Sequence, residues 1–431
     1  VIFARRSIQR RLDGIRELLG EKEIAKLVRR LNNPGRDRMA AMWEVVVFCA
    51  LAKCGDLRHE EPLASGSKPD ILYEDGSIRF IADVTCVSDE GLHERNPYEE
   101  LVRLINEVKS RLRLPAGGLD VRVAARRDVR TTLRLPPRKM LQEFVQKEIR
   151  PLIKEQMDAR VSQIRIMIDD DRAGIEITID PAGSAFSSGS FPSYDAPTDL
   201  VSNPLYNAMK AKASGQLRDA GGLTGIIVGD GDSAALGDDR IGLGAYSPKQ
   251  IAEELLRQYS SIDFVLLLAV REGVAATVPP RSYSFVHPIL VMRQGDGRRN
   301  DLAAVIKRMM QEFPMPTNSA ANGARRATES GYDLGHHGGY EMSDDRIRVS
   351  ARELMEVLAG IRTFDDGGAL NVEAARRNPG PQSEITKAFL RALKKGRLPS
   401  NVSVVPGGDD ENDNWIEFEL GERDPAISPF R

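Results

Sequence analysis

The chain has 431 residues, with 61 lysines and arginines against 63 acidic residues and a formal net charge of −2. That length supports two or three domains with real cores, and the near-neutral balance excludes a global signature of nucleic-acid binding. No apolar run is long enough to span a membrane, so a soluble protein is expected.

Residues 5–31 read as one or two charged amphipathic helices, broken by NNPG at 32–35. RMAAMWEVVVFCALAKCG then predicts a helix over about 37–54, apolar on nearly every face and therefore buried, with Glu44 inside its apolar run. A short strand is expected near 57–61. PDILY and SIRFIADVTCV follow as two strands joined through Glu74-Asp75-Gly76, a good hairpin turn. Residues 98–113 read as a helix, 119–125 as an alternating strand, 137–159 as a long charged helix, and 162–168 with 174–180 as a second hairpin. The Gly-, Ser- and Pro-rich stretch 181–199 reads as a loop.

Asn203-Pro204 is a plausible helix start, and that helix ends at paired glycines. LTGIIVGDGD is a strand and its exit. Ser247 is the expected N-cap of the next helix, with Pro248 at its first position. IDFVLLLAV reads as a central strand and YSFVHPILVM as another. A helix near 301–312, a weakly patterned stretch over 314–345, helices in VSARELMEVLAGI and SEITKAFLRALKKG, and the strand WIEFEL complete the pattern. The expected organisation is an N-terminal helical segment (1–36), a mixed α/β core flanked by helices (37–292), and a smaller C-terminal α+β region (293–431).

Charge is unevenly spread. Residues 1–40 hold eleven basic residues against five acidic, and 101–160 hold fifteen against seven, so local basic surfaces could serve an extended anion. A solvated helix face explains the same runs. Cys49, Cys54 and Cys86 are too few for a disulfide framework and suggest a reducing compartment. The opening VIFARRSIQRRL is too short and charged for a signal peptide, so a cytoplasmic location is expected.

The two strands near the start of the core carry Asp70, beside Pro69, and Asp83 at the end of FIAD. Buried carboxylates are costly unless paired, hydrogen-bonded or metal-bound. A hairpin brings these two together, and Glu44 could approach from the preceding helix. Three oxygen ligands suit a hard divalent cation, Mg²⁺ or Mn²⁺, with water completing the shell. The ordinary alternative stays open: Asp70 caps a turn, Asp83 bonds backbone at a strand end, and Glu44 is salt-bridged.

A helix glutamate, Pro-Asp before a strand, a hairpin and an acidic residue in the next strand together resemble the PD-(D/E)xK nuclease superfamily over about residues 44–230. Pro69-Asp70 matches the PD element, Asp83-Val84-Thr85 the (D/E)xK element, and Glu44 the acidic residue of the first core helix. The resemblance implies a restriction-endonuclease-like core and a Mg²⁺- or Mn²⁺-dependent nuclease of a prokaryotic defence or restriction system. It would hydrolyse phosphodiester bonds with Asp70, Asp83 and Glu44 as metal ligands. DNA is the expected partner ahead of RNA, and a homodimer or further protein partners are compatible with it.

Thr85 departs from the family pattern, which has lysine there. Family members supply the lysine from other elements, and the helix after the core strands carries Lys210 and Lys212. Lys212 is preferred because Gln216 shares its face, four residues on, with Ala208, Ala211 and Leu217 forming the packing side. Both lysines pointing to solvent is the alternative. If no lysine reaches the centre, the chain is a non-catalytic nucleic-acid-binding or assembly protein on a degenerate nuclease fold.

Other signals carry less. Asp230, in GIIVGDGD, reads as a strand exit rather than a phosphate loop, because the Gly-Lys-Ser/Thr step is absent. His336-His337, with Asp333 and Glu341, fits no standard zinc spacing and reads as a loop. His287 reads as a satisfied core histidine, and Trp43, Trp415 and Phe418 as packing residues.

Overall fold

The structure is a computed structural model and describes residues 2–63, 66–115, 117–126, 132–180, 187–192, 195–215, 217, 222–237, 244–276, 281–293, 295, 297–328, 340–360, 384–408 and 413–427. The architecture is α/β, with N-terminal helices and mixed β-sheets flanked by helices. His336-His337 and Asp333 lie outside the described residues.

The main sheet has six strands: β1 (Asp56–Arg58), β2 (Ile71–Glu74), β3 (Arg79–Val87), β8 (Leu223–Asp230), β9 (Phe264–Ala275) and β10 (Arg281–Met292), in that spatial order. The pairs β1–β2 and β2–β3 are antiparallel, β3–β8–β9 are parallel, and β9 and β10 form an antiparallel hairpin. β8 sits between two parallel neighbours with all eight residues buried, which explains its continuous apolar run.

Three helices build up one face: α1 (Arg5–Gly14), α2 (Arg16–Asn32) and α3 (Arg36–Ala52). α3 lies directly on the sheet with Trp43, Val46, Val47 and Ala50 fully or almost fully buried. Its apolar residues go all the way round because sheet, α1 and α2 enclose it. Gly229 makes the closest approach possible, since a Cβ there would meet the Trp43 ring at 2.3 Å. The indole Nε1 donates to the Asp230 carbonyl at 2.7 Å. The opposite face is covered by α8 (Pro204–Ser214) and α9 (Pro248–Gln258), which bury Ile81, Val87, Ile226 and Val228. Ser247 and Gln250 form the capping box that starts α9.

Packing divides the chain differently from the expected segments 1–36, 37–292 and 293–431. The N-terminal helices share one core with α3, and so do α10 (Arg299–Gln311) and α11 (Ala320–Ala327), which lie beyond the expected boundary at 293. Buried Arg38 ties them together by donating to the carbonyls of Leu31, Asn32 and Ala327 at 2.8–2.9 Å. Between β3 and α8 the chain builds a second body with its own core. There, α5 (Tyr98–Arg111), α6 (Arg138–Phe144) and α7 (Arg150–Asp158) cover the sheet β5-β6-β4-β7, formed by Ile164–Asp169, Gly174–Ile179, Leu119–Val123 and Ser188–Ser190. The C-terminal sheet runs β11-β12-β14-β13, from Tyr340–Met342, Arg346–Ser350, Trp415–Leu420 and Pro399–Val405.

Several elements were not legible. The strand at 188–190 is three exposed polar residues paired with β4, so no periodicity marks it. β13 exposes most of its residues and is held by its neighbour alone. His287 is a correction: it is exposed on β10, whose outer side has no neighbouring strand among the described residues, rather than a satisfied core histidine.

Candidate active site

The site begins at the hairpin β2–β3. Ile71 pairs with Ala82, so Asp70, just before β2, lies level with Asp83. The two carboxylates continue the ladder after β2 has ended. Asp83 Oδ1 accepts from the Asp70 backbone N–H at 2.9 Å, and Asp70 Oδ2 accepts from the Val84 N–H at 2.9 Å. Each aspartate is thereby pinned to the other's strand. Because side chains alternate along β3, Asp83 and Thr85 point to the face covered by α8 and α9, with Ile81 and Val87.

α8 delivers the cation. Asn203 caps it by accepting from the Tyr206 N–H at 2.8 Å, and Pro204 takes the first turn. Leu205, Tyr206, Met209 and Ala213 bury its apolar side. Lys212 lies three and seven residues beyond Met209 and Leu205, so its stem runs along that side toward the sheet. Its Nζ is 3.2 Å from Asp70 Oδ2 and 3.6 Å from Asp83 Oδ2. Lys210 is exposed. Ala211, expected on the packing side, is exposed as well, and Gln216 lies outside the described residues.

The accounting of oxygens singles out Asp83. Its side chain is 0 % exposed, and Oδ2 is buried with no hydrogen-bond partner. Burial, reinforced by the negative charge of Asp70 and opposed by Lys212, pushes the Asp83 carboxyl up to about 6. No protein-family model matches the chain, and no curated protein matches its sequence. The site is therefore read from its own chemistry.

Glu44 does not join the pair. Among the described residues, the one trio of His, Cys, Asp or Glu with ligand atoms all within 4.8 Å of one another is Glu23, His59 and Glu60. Both Glu44 oxygens are held by the Arg30 guanidinium, at 2.5 and 2.8 Å, and Arg30 also reaches Asp37 at 2.9 Å. Burial pushes the Glu44 carboxyl up and Arg30 opposes it, while Asp70 and Lys212 also act on it through space. Glu44 thus neighbours the pair electrostatically, while its own oxygens are committed to Arg30.

Two residues of the surroundings carried no sequence signal. Arg30 is fourteen positions from Glu44, on the preceding helix, and only the α2–α3 turn brings them together. His59 donates from Nδ1 to the Asp70 carbonyl at 2.8 Å, which holds the chain entering β2. Much of the N-terminal basic excess is also engaged internally: Arg16 with Glu21, Lys26 with Glu23, Arg30 with Glu44 and Asp37, and Arg38 with backbone carbonyls. That leaves less free positive surface there than residue counts suggest.

Proposed function

We propose that the chain is a divalent-metal-dependent nuclease that hydrolyses phosphodiester bonds in DNA, as its resemblance to PD-(D/E)xK enzymes of prokaryotic defence implies. The observation that carries this reading is the meeting of Asp70, Asp83 and Lys212 from three separate elements, with Asp83 Oδ2 buried and unsatisfied. Two carboxylate oxygens facing one point suit Mg²⁺ or Mn²⁺, which bind few protein groups and keep several waters. An ion held there would polarise the scissile phosphate and make a bound water more acidic.

The chain's own residues have defined tasks in this reading. Asp70 and Asp83 are fixed by each other's backbone, so the ion's position is set before substrate arrives. In its absence the Lys212 ammonium offsets their mutual repulsion. With the carboxylates otherwise engaged, Lys212 is placed to donate to a phosphate oxygen or to the attacking water, the task of the lysine that Thr85 replaces. Glu44, clamped by Arg30, acts through water or as a fixed charge rather than as a direct ligand.

The test is incubation of the protein with supercoiled DNA, linear DNA and RNA in Mg²⁺, Mn²⁺ or EDTA. Cleavage of DNA that requires the metal is the expected result; no cleavage of any substrate in either metal rejects the proposal. The second reading, a non-catalytic nucleic-acid-binding or assembly protein, is favoured by Thr85 and by the commitment of Glu44 to Arg30. It predicts a mobility shift of DNA without strand breaks.

A further inference from the structure

We propose that Glu23, His59 and Glu60 form a second cation site, selective for a first-row transition metal such as Zn²⁺ or Co²⁺ and separate from the Asp70–Asp83 pair. Their ligand atoms all lie within 4.8 Å of one another, although Glu23 comes from α2 and the other two from the segment after β1. An imidazole with two carboxylates is a donor set for zinc-like ions rather than for Mg²⁺, which prefers oxygen alone.

The second, independent observation is the state of the imidazole. A carbonyl oxygen only accepts, so the 2.8 Å contact with Asp70 O requires a proton on Nδ1. In the neutral ring this leaves the lone pair on Nε2. A histidine whose one nitrogen donates to a backbone carbonyl has its tautomer and ring orientation fixed, which is how metal-binding histidines are commonly held. The ring is further fixed against Phe48, with centroids 5.0 Å apart. His59 would thus link the second ion to the main chain of Asp70.

Lys26 competes for this place. Its Nζ lies 2.7 Å from Glu23 Oε1, but its side chain is 47 % exposed, and an exposed pair of this kind is weak enough for an ion to displace. Removing Lys26 should therefore favour the metal, a result that no purely structural role for Glu23 predicts.

Binding of Zn²⁺, and of Co²⁺ followed by its visible absorption, would be measured on the full chain. The proteins are wild type, E23Q, E60Q, H59Q, K26A and the double variant D70N/D83N. Losing a ligand should weaken the site by at least the roughly tenfold that losing a ligand's supporting partner costs, so E23Q and E60Q should each lose tenfold or more. H59Q should bind least, K26A should bind a few-fold tighter, and D70N/D83N should retain the wild-type site. Zn²⁺ should also raise the wild-type melting temperature but not that of E23Q or E60Q, since an ion that binds only the folded state stabilises it. Wild-type affinity in both E23Q and E60Q overturns the proposal, even if H59Q fails to fold. So does loss of all binding in D70N/D83N, or a cobalt spectrum showing thiolate ligation.

Discussion

Two buried aspartates, on the neighbouring central strands β3 and β8 of the same sheet, differ in one respect. Asp230, at the end of β8, and Asp83, in β3, are both pushed up to about 6, chiefly by burial. Asp230 is satisfied on both oxygens: Oδ2 accepts from the Val270 N–H, and Oδ1 from those of Asp232 and Ser233. Asp89 beside it is satisfied likewise, by the Ser233 hydroxyl and the Ala234 N–H. Asp83 has one oxygen on backbone, and the other has no hydrogen-bond partner and lies 3.6 Å from the ammonium of Lys212. A raised pKa therefore does not distinguish the saturated carboxylate from the one proposed to hold an ion. The hydrogen-bond inventory does, because a saturated carboxylate holds loops in place and an unsaturated one still has an oxygen to offer.

That comparison breaks most visibly in activity. Asp70→Ala and Asp83→Ala should each abolish metal-dependent cleavage in a plasmid-nicking assay, with the protein still folded by circular dichroism. Melting temperatures should change little, because relief of the like-charge repulsion is offset by the loss of an acceptor for a backbone N–H of the neighbouring strand. Wild-type rates in both folded variants would remove the pair from the chemistry altogether.

Lys212→Ala should lower single-turnover cleavage about a hundredfold at saturating Mg²⁺, the typical loss for one well-placed electrostatic donor. Mg²⁺ affinity should stay nearly unchanged or tighten, since the ammonium sits against both carboxylates. Lys210→Ala should be close to wild type because that side chain is exposed. Equal rates for K212A and wild type would sink the migrated-lysine idea.

The saturated side of the comparison makes the opposite forecast. Asp230→Ala leaves the N–H groups of Val270 and Asp232 without their acceptor, at a cost of about 2–4 kcal/mol in urea unfolding. Its cleavage rate per folded molecule should stay near wild type. A stable but inactive D230A would move Asp230 into the chemistry.

The pH dependence is smaller. The folded-state carboxyl of Asp83 holds its proton up to about pH 6, against about 4 for an unfolded aspartate. The folded state therefore binds the proton more tightly, and wild type should lose stability relative to Asp83→Asn as pH rises through that window. Above it the difference should be flat, at about 1–3 kcal/mol. Parallel urea titrations of the two proteins from pH 4 to 8 measure this, and a difference that shrinks with rising pH contradicts the burial account. Smallest of all, Thr85→Lys should partly restore the rate of K212A, because Thr85 faces α8 alongside Asp83.

Much of this molecule follows from local pattern. The buried, largely apolar α3, the β2–β3 hairpin at Asp75-Gly76, the Asn203-Pro204 start of α8 and the capped start of α9 are decided by side-chain chemistry within a few residues. The placing of Asp70 level with Asp83 is equally local, because a tight hairpin leaves one register. The rest depended on contacts between distant parts. No periodicity says that β3 and β8 are neighbours, although a separate body of about ninety residues lies between them, and it is this parallel pairing that sets α8 over Asp83. The reach of Lys212 to both aspartates, the capture of Glu44 by Arg30 and the inclusion of α10 and α11 in the first core are products of that packing. Sequence spacing records which residues share a helix face; which face meets which sheet is settled only when the apolar surfaces close against one another.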